Sequence, residues 1–273
     1  MSVRSSLFSN MDIVVDDLDE FKQNLTLEKN IKLINGKFGK VSVWRHEPTK
    51  KLFLLKQITH GYNEIEPMIH YLMKKNKYFL NLYYSVNSPT TNILIMDYIA
   101  DGDLFDLLRR ESRLPEPEVR SIILQLVDAL QALHKNFIIH NDVKLENVLY
   151  HRKRQIYLCD YGLCRIVGVK SCQDGTLDYF SPEKIMGRNY DFGFDWWSVG
   201  VLTYELITGT HPYKFDPDED LTTNVLQRRQ QRKLEFKPSV SIAAQSFIEK
   251  LLFYNINYRL TSGDEIKLNK FLQ

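Results

Sequence analysis

The chain has 273 residues, 44% of them hydrophobic and 26% charged, with a formal net charge of +2. That length suits one large domain or two lobes with separate cores, and the balance is ordinary for a globular protein. The small net charge does not indicate direct nucleic-acid binding, no apolar run reaches the roughly 18 residues of a membrane span, and the N-terminus lacks a secretory pattern.

In chain order, the acidic, amphipathic stretch Asp12–Leu25 predicts a helix ahead of the main domain, either packed on it or docking a partner or a second copy. Strands are expected at Asn30–Ile34, Lys40–Arg45 and Leu52–Ile58, joined by a Gly-containing turn at Asn35–Gly39 and by Glu47-Pro48-Thr49-Lys50. A helix around Glu66–Lys75 follows, then strands near Asn81–Val86 and Asn92–Tyr98. From Leu104 the period becomes helical: Leu104–Arg110, then Glu116–Lys135 with Pro115 and Pro117 at its start. Short strands near Val148–Tyr150 and Ile156–Cys159 flank the basic turn His151-Arg152-Lys153-Arg154, and helices are expected at Trp196–Thr208, Ile242–Phe253 and Gly263–Phe271. A strand-rich front and a helix-rich back imply an α+β architecture with a small β-rich lobe carrying one main helix and a larger helical lobe. The expected division is a helical extension over 1–27, a first lobe over 28–98 and a second over 99–273, with Ala100-Asp101-Gly102 as hinge.

The segment Ile34-Asn35-Gly36-Lys37-Phe38-Gly39-Lys40-Val41 is a glycine loop, where the absence of side chains lets backbone amides approach phosphates. Alone it is equally a hairpin turn. It gains weight from Lys56, a cation in an otherwise apolar strand, which needs an anionic partner. A nucleotide phosphate and a helix carboxylate would serve. Glu64 and Glu66 both qualify, with Glu66 nearer the expected distance before Leu82 and followed by Pro67, which suits a first helical turn.

The stretch His140-Asn141-Asp142-Val143-Lys144-Leu145-Glu146-Asn147, followed by Asp160-Tyr161-Gly162, sets an acid, a cation and an amide at fixed offsets ahead of a second acid. Asp142 can accept a hydrogen bond from an attacking hydroxyl and orient it. Lys144 can neutralise charge on a transferring phosphoryl group, and Asn147 and Asp160 offer oxygen ligands of the kind Mg²⁺ or Mn²⁺ takes. Such a set suits phosphoryl transfer, where positioning and electrostatics supply most of the rate.

With these residues the chain resembles the eukaryotic-type serine/threonine protein kinases over nearly its whole length. Gly175-Thr176-Leu177-Asp178-Tyr179-Phe180-Ser181-Pro182-Glu183 looks like the end of an activation segment, and Asp195-Trp196-Trp197-Ser198-Val199-Gly200 like the start of the helix anchoring the catalytic loop. Lys144, two residues after Asp142, is the serine/threonine form. Within the family the chain is similar to the protein kinase 1 group of baculoviruses, with short ends, Asn after the loop His, and Ser-Pro-Glu for Ala-Pro-Glu. The resemblance implies a bilobal kinase fold that uses ATP and Mg²⁺ on protein substrates. It implies an ion pair between Glu183 and Arg259, a ribose-binding acid at Asp103 and a gatekeeper at Met96. It places further nucleotide contacts at Ile34, Gly36, Lys37, Gly39, Val41 and Leu54, at Asp97 and Tyr98, and at Leu149. If the chain is viral, it would work in the host cytoplasm, the nucleus or both. Cys159, Cys164 and Cys172, odd in number and without zinc-ligand spacing, agree with a reducing intracellular compartment.

The sequence departs from the family at several places. Ile34 replaces the first glycine of the loop, which implies a stiffer loop; Leu54 replaces a small residue, which implies a tighter adenine slot; and Tyr161 adds a hydroxyl that needs a partner if buried. Asn141 replaces the Arg that, in many kinases, grips a phosphate on the activation segment. The usual acceptor position, four residues before Thr176, is Cys172. Receiver and phosphate site are missing together, which points to a segment that orders without phosphorylation; Ser171 is the neighbour that would restore the conventional scheme. Glu146 and Glu205 match positions where basophilic kinases hold a substrate Arg, so Arg-rich substrates are expected. The clusters Arg152–Arg154 and Arg228–Lys233 are solvated faces or import signals. Two rival readings compete. An inactive kinase-like interaction module would draw on Ile34, Leu54 and Asn141, but Lys56, Asp142, Lys144, Asn147 and Asp160 are all present. A small-molecule phosphotransferase would share the catalytic loop but not the Ser-Pro-Glu and Asp-Trp-Trp-Ser segments.

Overall fold

The computed structural model describes residues 18–31, 39–87, 91–151, 154–213 and 220–273. The chain divides into two compact units, Met1–Ala100 and Asp101–Gln273.

The first unit contains α1 (Leu18–Gln23), β1 (Leu25–Leu27), β2 (Gly39–His46), β3 (Leu52–Ile58), α2 (Ile65–Met73), β4 (Leu82–Asn87) and β5 (Asn92–Asp97). The strands form an antiparallel sheet in the order β1-β2-β3-β5-β4. Period-2 alternation assigns side chains to its faces. Register sets Val41 opposite Lys56, Val43 opposite Leu54, and Leu54 opposite Met96, so these residues share one face. On the other face Phe53, Tyr84 and Ile95 form a buried cluster with Phe21 of α1. The Phe21 ring lies 5.2 Å edge-on from Phe53 and 4.8 Å from Tyr84, and stacks on His46 at 5.0 Å. The stretch expected as one helix over Asp12–Leu25 is therefore a single helix of Leu18–Gln23 followed by a strand; Asp12–Asp17 lie outside the described residues. Asn30 and Ile31 are turn and irregular backbone, and the rest of the strand expected at Asn30–Ile34 also lies outside them.

The second unit contains α3 (Leu104–Glu111), α4 (Glu116–His134), β6 (Ile138–Ile139), β7 (Val148–His151), β8 (Gln155–Leu158), β9 (Arg165–Ile166), α5 (Pro182–Ile185), α6 (Phe192–Thr208), α7 (Thr223–Gln230), α8 (Ile242–Leu251) and α9 (Gly263–Lys267). Pro115 caps α4 and Pro117 lies in its first turn, where a missing N–H costs nothing. Helix α6 is buried almost all round, as suits the central helix of a helical core. Its N-cap Asp191 accepts from the Gly193 amide at 2.8 Å. Gly200 lets α6 approach α8, since a Cβ there would stand 2.8 Å from Leu251 Cβ. The last helix stops at Lys267, short of the expected Phe271, with Leu268–Phe271 in turns. Two short antiparallel pairs, β6 with β9 and β7 with β8, flank the catalytic loop and the segment after it. Among the described residues no helix is long and apolar enough to cross a membrane.

Candidate active site

In the first unit Lys56 Nζ donates to Glu66 Oε1 at 2.7 Å. Glu66 is 2% exposed and lies in the first turn of α2, whereas Glu64 is exposed at the N-cap. Of the two candidate carboxylates, Glu66 thus braces the lysine. Val41, Leu54 and Met96 line up with Lys56 on one sheet face, each on a different strand. Asp97 faces the other way. Its Oδ2 accepts from the Asn81 side chain at 2.8 Å and its Oδ1 from the Tyr83 hydroxyl at 2.6 Å, with Lys51 3.2 Å away. A nucleotide contact from Asp97 would therefore come from its backbone. Gly39 begins β2; Ile34, Gly36 and Lys37 lie outside the described residues.

In the second unit the catalytic loop hangs on Asp195 of α6. The His140 and Asn141 amides donate to its two oxygens, each at 2.8 Å, and His134 Nε2 bonds to Oδ2 at 2.8 Å. Burial alone would push the Asp195 carboxyl up. The His134 hydrogen bond and the loop amide offset this and hold it below the usual carboxylate range. Asp142 is held at both oxygens: Oδ1 accepts from the Thr176 amide at 2.8 Å and Oδ2 from Asn147 Nδ2 at 3.0 Å. Lys144 Nζ lies 3.4 Å from Asp142 Oδ2 and donates to Thr176 Oγ1 at 2.9 Å. Because the Asn147 amide nitrogen is the atom bonded to Asp142, its Oδ1 is the end left to face a cation. Asp160 sits just past β8 with φ 61°, and the Tyr161 hydroxyl donates to the Leu158 carbonyl, the partner its burial demands. Oxygens from Asn147 and Asp160 are the hard donors Mg²⁺ or Mn²⁺ requires, so these residues fit such an ion. Asp103 caps α3, accepting from the Asp106 amide at 2.8 Å, and forms a β-bridge with Leu149.

The activation segment shows a network that local sequence does not reveal. The Asp174 carboxylate accepts from Asn141 Nδ2 at 2.9 Å, from the Tyr190 hydroxyl at 2.8 Å and from Arg165. Burial would raise its pKa; the hydrogen bonds from Asn141 and Tyr190 and the charges of Arg165 and Lys184 more than offset that and lower it. Lys184, 3% exposed, donates to Asn141 O at 3.0 Å and Asn141 Oδ1 at 2.7 Å. Burial pushes its ammonium down to about 8, against the pull of Asp174, Asp142 and Asp195. Cys172 is exposed, with Sγ 3.0 Å from the Tyr190 hydroxyl, and Ser171 is buried. Cys164 is fully buried, while Cys159 is partly exposed. Sequence reasoning missed Asp174, Arg165 and Lys184. The one available signal was a lysine immediately after Ser-Pro-Glu.

Arg259 clamps Glu183 with two bonds of 2.7 and 2.9 Å, its guanidinium 4.7 Å from the Trp197 ring centroid. Glu205 is largely buried, accepts from the Tyr179 hydroxyl, and has Glu146 and Asp178 nearby. Burial raises its carboxyl to about 7, the Tyr179 bond opposes this, and repulsion from Glu146 and Asp178 adds to it. Of the basic clusters, Arg229 and Gln230 are buried in α7, with Gln230 donating to Phe180 O at 2.7 Å, while Arg228, Arg232 and Lys233 are exposed.

A lysine–glutamate pair under a five-stranded sheet, and a loop holding acid, lysine and amide on a buried helix aspartate, are the marks of a protein phosphotransferase. Residues 27–272 match the Protein kinase domain family, and the chain belongs to that family. It is an ATP-dependent serine/threonine protein kinase of the baculovirus type. It is 52% identical to Serine/threonine-protein kinase 1 of Heliothis zea nuclear polyhedrosis virus, over 96% of this chain and 99% of that one. It is equally 52% identical to Serine/threonine-protein kinase 1 of Lymantria dispar multicapsid nuclear polyhedrosis virus, over 96% of each chain. A solved structure, the kinase PK-1 of Cydia pomonella granulovirus, is 38% identical and covers 93% of this chain and 97% of that one, with a TM-score of 0.86. The β-rich first unit and helical second unit are thus the protein kinase fold.

Proposed function

We propose that the chain transfers the γ-phosphoryl of ATP to Ser and Thr hydroxyls of Arg-rich proteins without needing a phosphate on its activation segment. The observation that carries the transfer is the clamped Asp142, fixed by the Thr176 amide on one oxygen and Asn147 on the other. So held, Asp142 accepts the hydrogen bond of the substrate hydroxyl, orients it and receives its proton. Lys144, 3.4 Å from that carboxylate, stabilises charge on the transferring group. Lys56, braced by Glu66, holds nucleotide phosphates. Asn147 and Asp160 would hold a divalent cation, which neutralises phosphate charge when bound. Gly39, Val41, Leu54, Met96, Asp103 and Leu149, with the backbone of Asp97 and Tyr98, complete the nucleotide contacts.

Two observations support the finer parts. Asp174 already supplies, from the chain itself, an anion bonded to Asn141, Arg165 and Tyr190, which favours a segment ordered without phosphate. Glu205 and Glu146, with Asp178, concentrate carboxylates that a guanidinium would relieve, which favours Arg beside the acceptor. The enzyme would act inside the host cell, as expected for a relative of viral kinases. Asp142→Asn tests the whole reading. Transfer of labelled phosphate from ATP to an Arg-rich protein should fall by about 10²-fold or more with the thermal midpoint little changed. Retained turnover, or transfer only to small molecules, refutes it.

A further inference from the structure

Asn141 has φ 70°, a left-handed conformation that turns the peptide joining it to Asp142. Both its carbonyl and its side-chain oxygen point at one atom, Lys184 Nζ, at 3.0 and 2.7 Å. The same amide group donates through Nδ2 to Asp174 Oδ1 and to the Leu163 carbonyl, each at 2.9 Å. A line of charge therefore runs from the Lys184 ammonium through the Asn141 amide to the Asp174 carboxylate, and ends on Arg165. The ammonium also sits 4.4 Å from the Phe180 ring centroid. Burying a lysine to 3% exposure is costly unless it is paired and hydrogen-bonded, as Lys184 is by the two Asn141 oxygens.

We propose that Lys184 is a positioning residue of the reaction: from α5, just past the activation segment, it supplies the cation that Asn141 lacks and fixes the Asn141–Asp142 peptide for phosphoryl transfer. The proposal rests on the reading that this segment orders without phosphate, and it names what takes the arginine's place. In a phosphate-dependent kinase, a cation on the catalytic loop meets an anion added to the segment. Here the anion, Asp174, and the cation, Lys184, are both encoded on the segment side, and the neutral Asn141 links them. Gly175 permits this closeness: a Cβ there would lie 3.0 Å from Asn141 O, 3.2 Å from Asp142 Oδ1 and 3.2 Å from Lys184 Nζ. The titratable groups facing Lys184 are Asp174 and Cys172 of the segment, Asp142 of the loop and Asp195 of α6. Small displacements of Asp142 then follow the protonation state of Lys184, and placement errors near 1 Å cost about 10²-fold in rate.

The effect on turnover separates positioning from mere scaffolding. With burial driving the Lys184 pKa down to about 8 from 10.5, its contribution to stability rises as pH increases between those values, because the unfolded chain binds the extra proton there. Loss of turnover on the alkaline side would therefore not reflect unfolding caused by this group. The experiment measures kcat and the KM for ATP between pH 6.5 and 9.5, with thermal midpoints, for wild type, Lys184→Met and Lys184→Arg. Phosphatase-treated wild type is run beside them. The expected result is an alkaline fall in wild-type kcat near pH 8, at least tenfold lower kcat in Lys184→Met with KM for ATP nearly unchanged, and recovery in Lys184→Arg with the alkaline fall displaced upward. Full kcat in Lys184→Met overturns the proposal. If that variant does not fold, an alkaline fall left in place by Lys184→Arg overturns it instead. Phosphatase treatment that abolishes wild-type activity overturns the phosphate-independent reading, whatever the lysine variants do.

Discussion

Gly175 stands where the activation segment touches the catalytic loop, and its φ of 109° is open to glycine almost alone. A methyl group there meets a backbone oxygen, Asn141 O, which cannot swing aside as a flexible side chain could. Gly175→Ala should lower kcat at least tenfold and destabilise the protein by about 1–3 kcal/mol. Kinetics together with chemical denaturation check it, and an alanine variant with wild-type turnover contradicts the geometry. Glu205 makes a prediction about substrate. Its carboxyl is raised to about 7, so at neutral pH it is partly protonated, and a bound guanidinium would favour the ionised form. The KM for an Arg-containing peptide should fall as pH rises from 6 to 8, and Glu205→Gln should raise that KM about tenfold and remove the pH trend. A peptide without Arg serves as control. Equal effects on both peptides would assign Glu205 to the fold alone. Because the folded pKa lies above the unfolded 4.5, ionising Glu205 between about pH 4.5 and 7 costs stability as pH rises, so the Gln variant should be no less stable at pH 7.

At the scale of elements, α1 is a plug for the sheet face that carries Phe53, Tyr84 and Ile95. Phe21 is 1% exposed and contacts residues of β2, β3 and β4. Phe21→Ala should cost about 3–5 kcal/mol, the range for removing a buried aromatic ring, and denaturant unfolding would show it. A loss below about 1 kcal/mol would mean that α1 rides on the sheet without supporting it. Periodicity located the long elements well, since β3 and α4 carry their pattern over many residues. It missed β1, β6 and β9, which are two or three residues long and have no period to read. These strands exist because partners distant in sequence supply their hydrogen bonds: Leu25–Leu27 pair with Trp44–His46, and Ile138–Ile139 with Arg165–Ile166. The sequence showed an acidic amphipathic stretch before the domain, but only the packed Phe21 shows which face it covers.

Over the whole molecule, the reaction class was legible because its chemistry is local. Asp142, Lys144 and Asn147 lie within one short loop, and the offsets between them set an acid, a neighbouring cation and an amide side by side. Asn141 could be recognised as a missing arginine for the same reason. The charged groups that meet its side chain could not. Asp174 reaches Asn141 across 33 positions and Lys184 across 43, and neither contact leaves a periodic or spacing signal. The choice of Glu66 over Glu64 was similar, since two carboxylates near one helix start differ only in which of them burial turns toward Lys56. The sequence by itself determined the chemical groups, their order and the type of each long element, because those depend on neighbours along the chain. The tertiary structure alone decided which charges meet, because a buried ammonium or carboxylate is settled by the partners folding brings to it, and those lie tens of residues away.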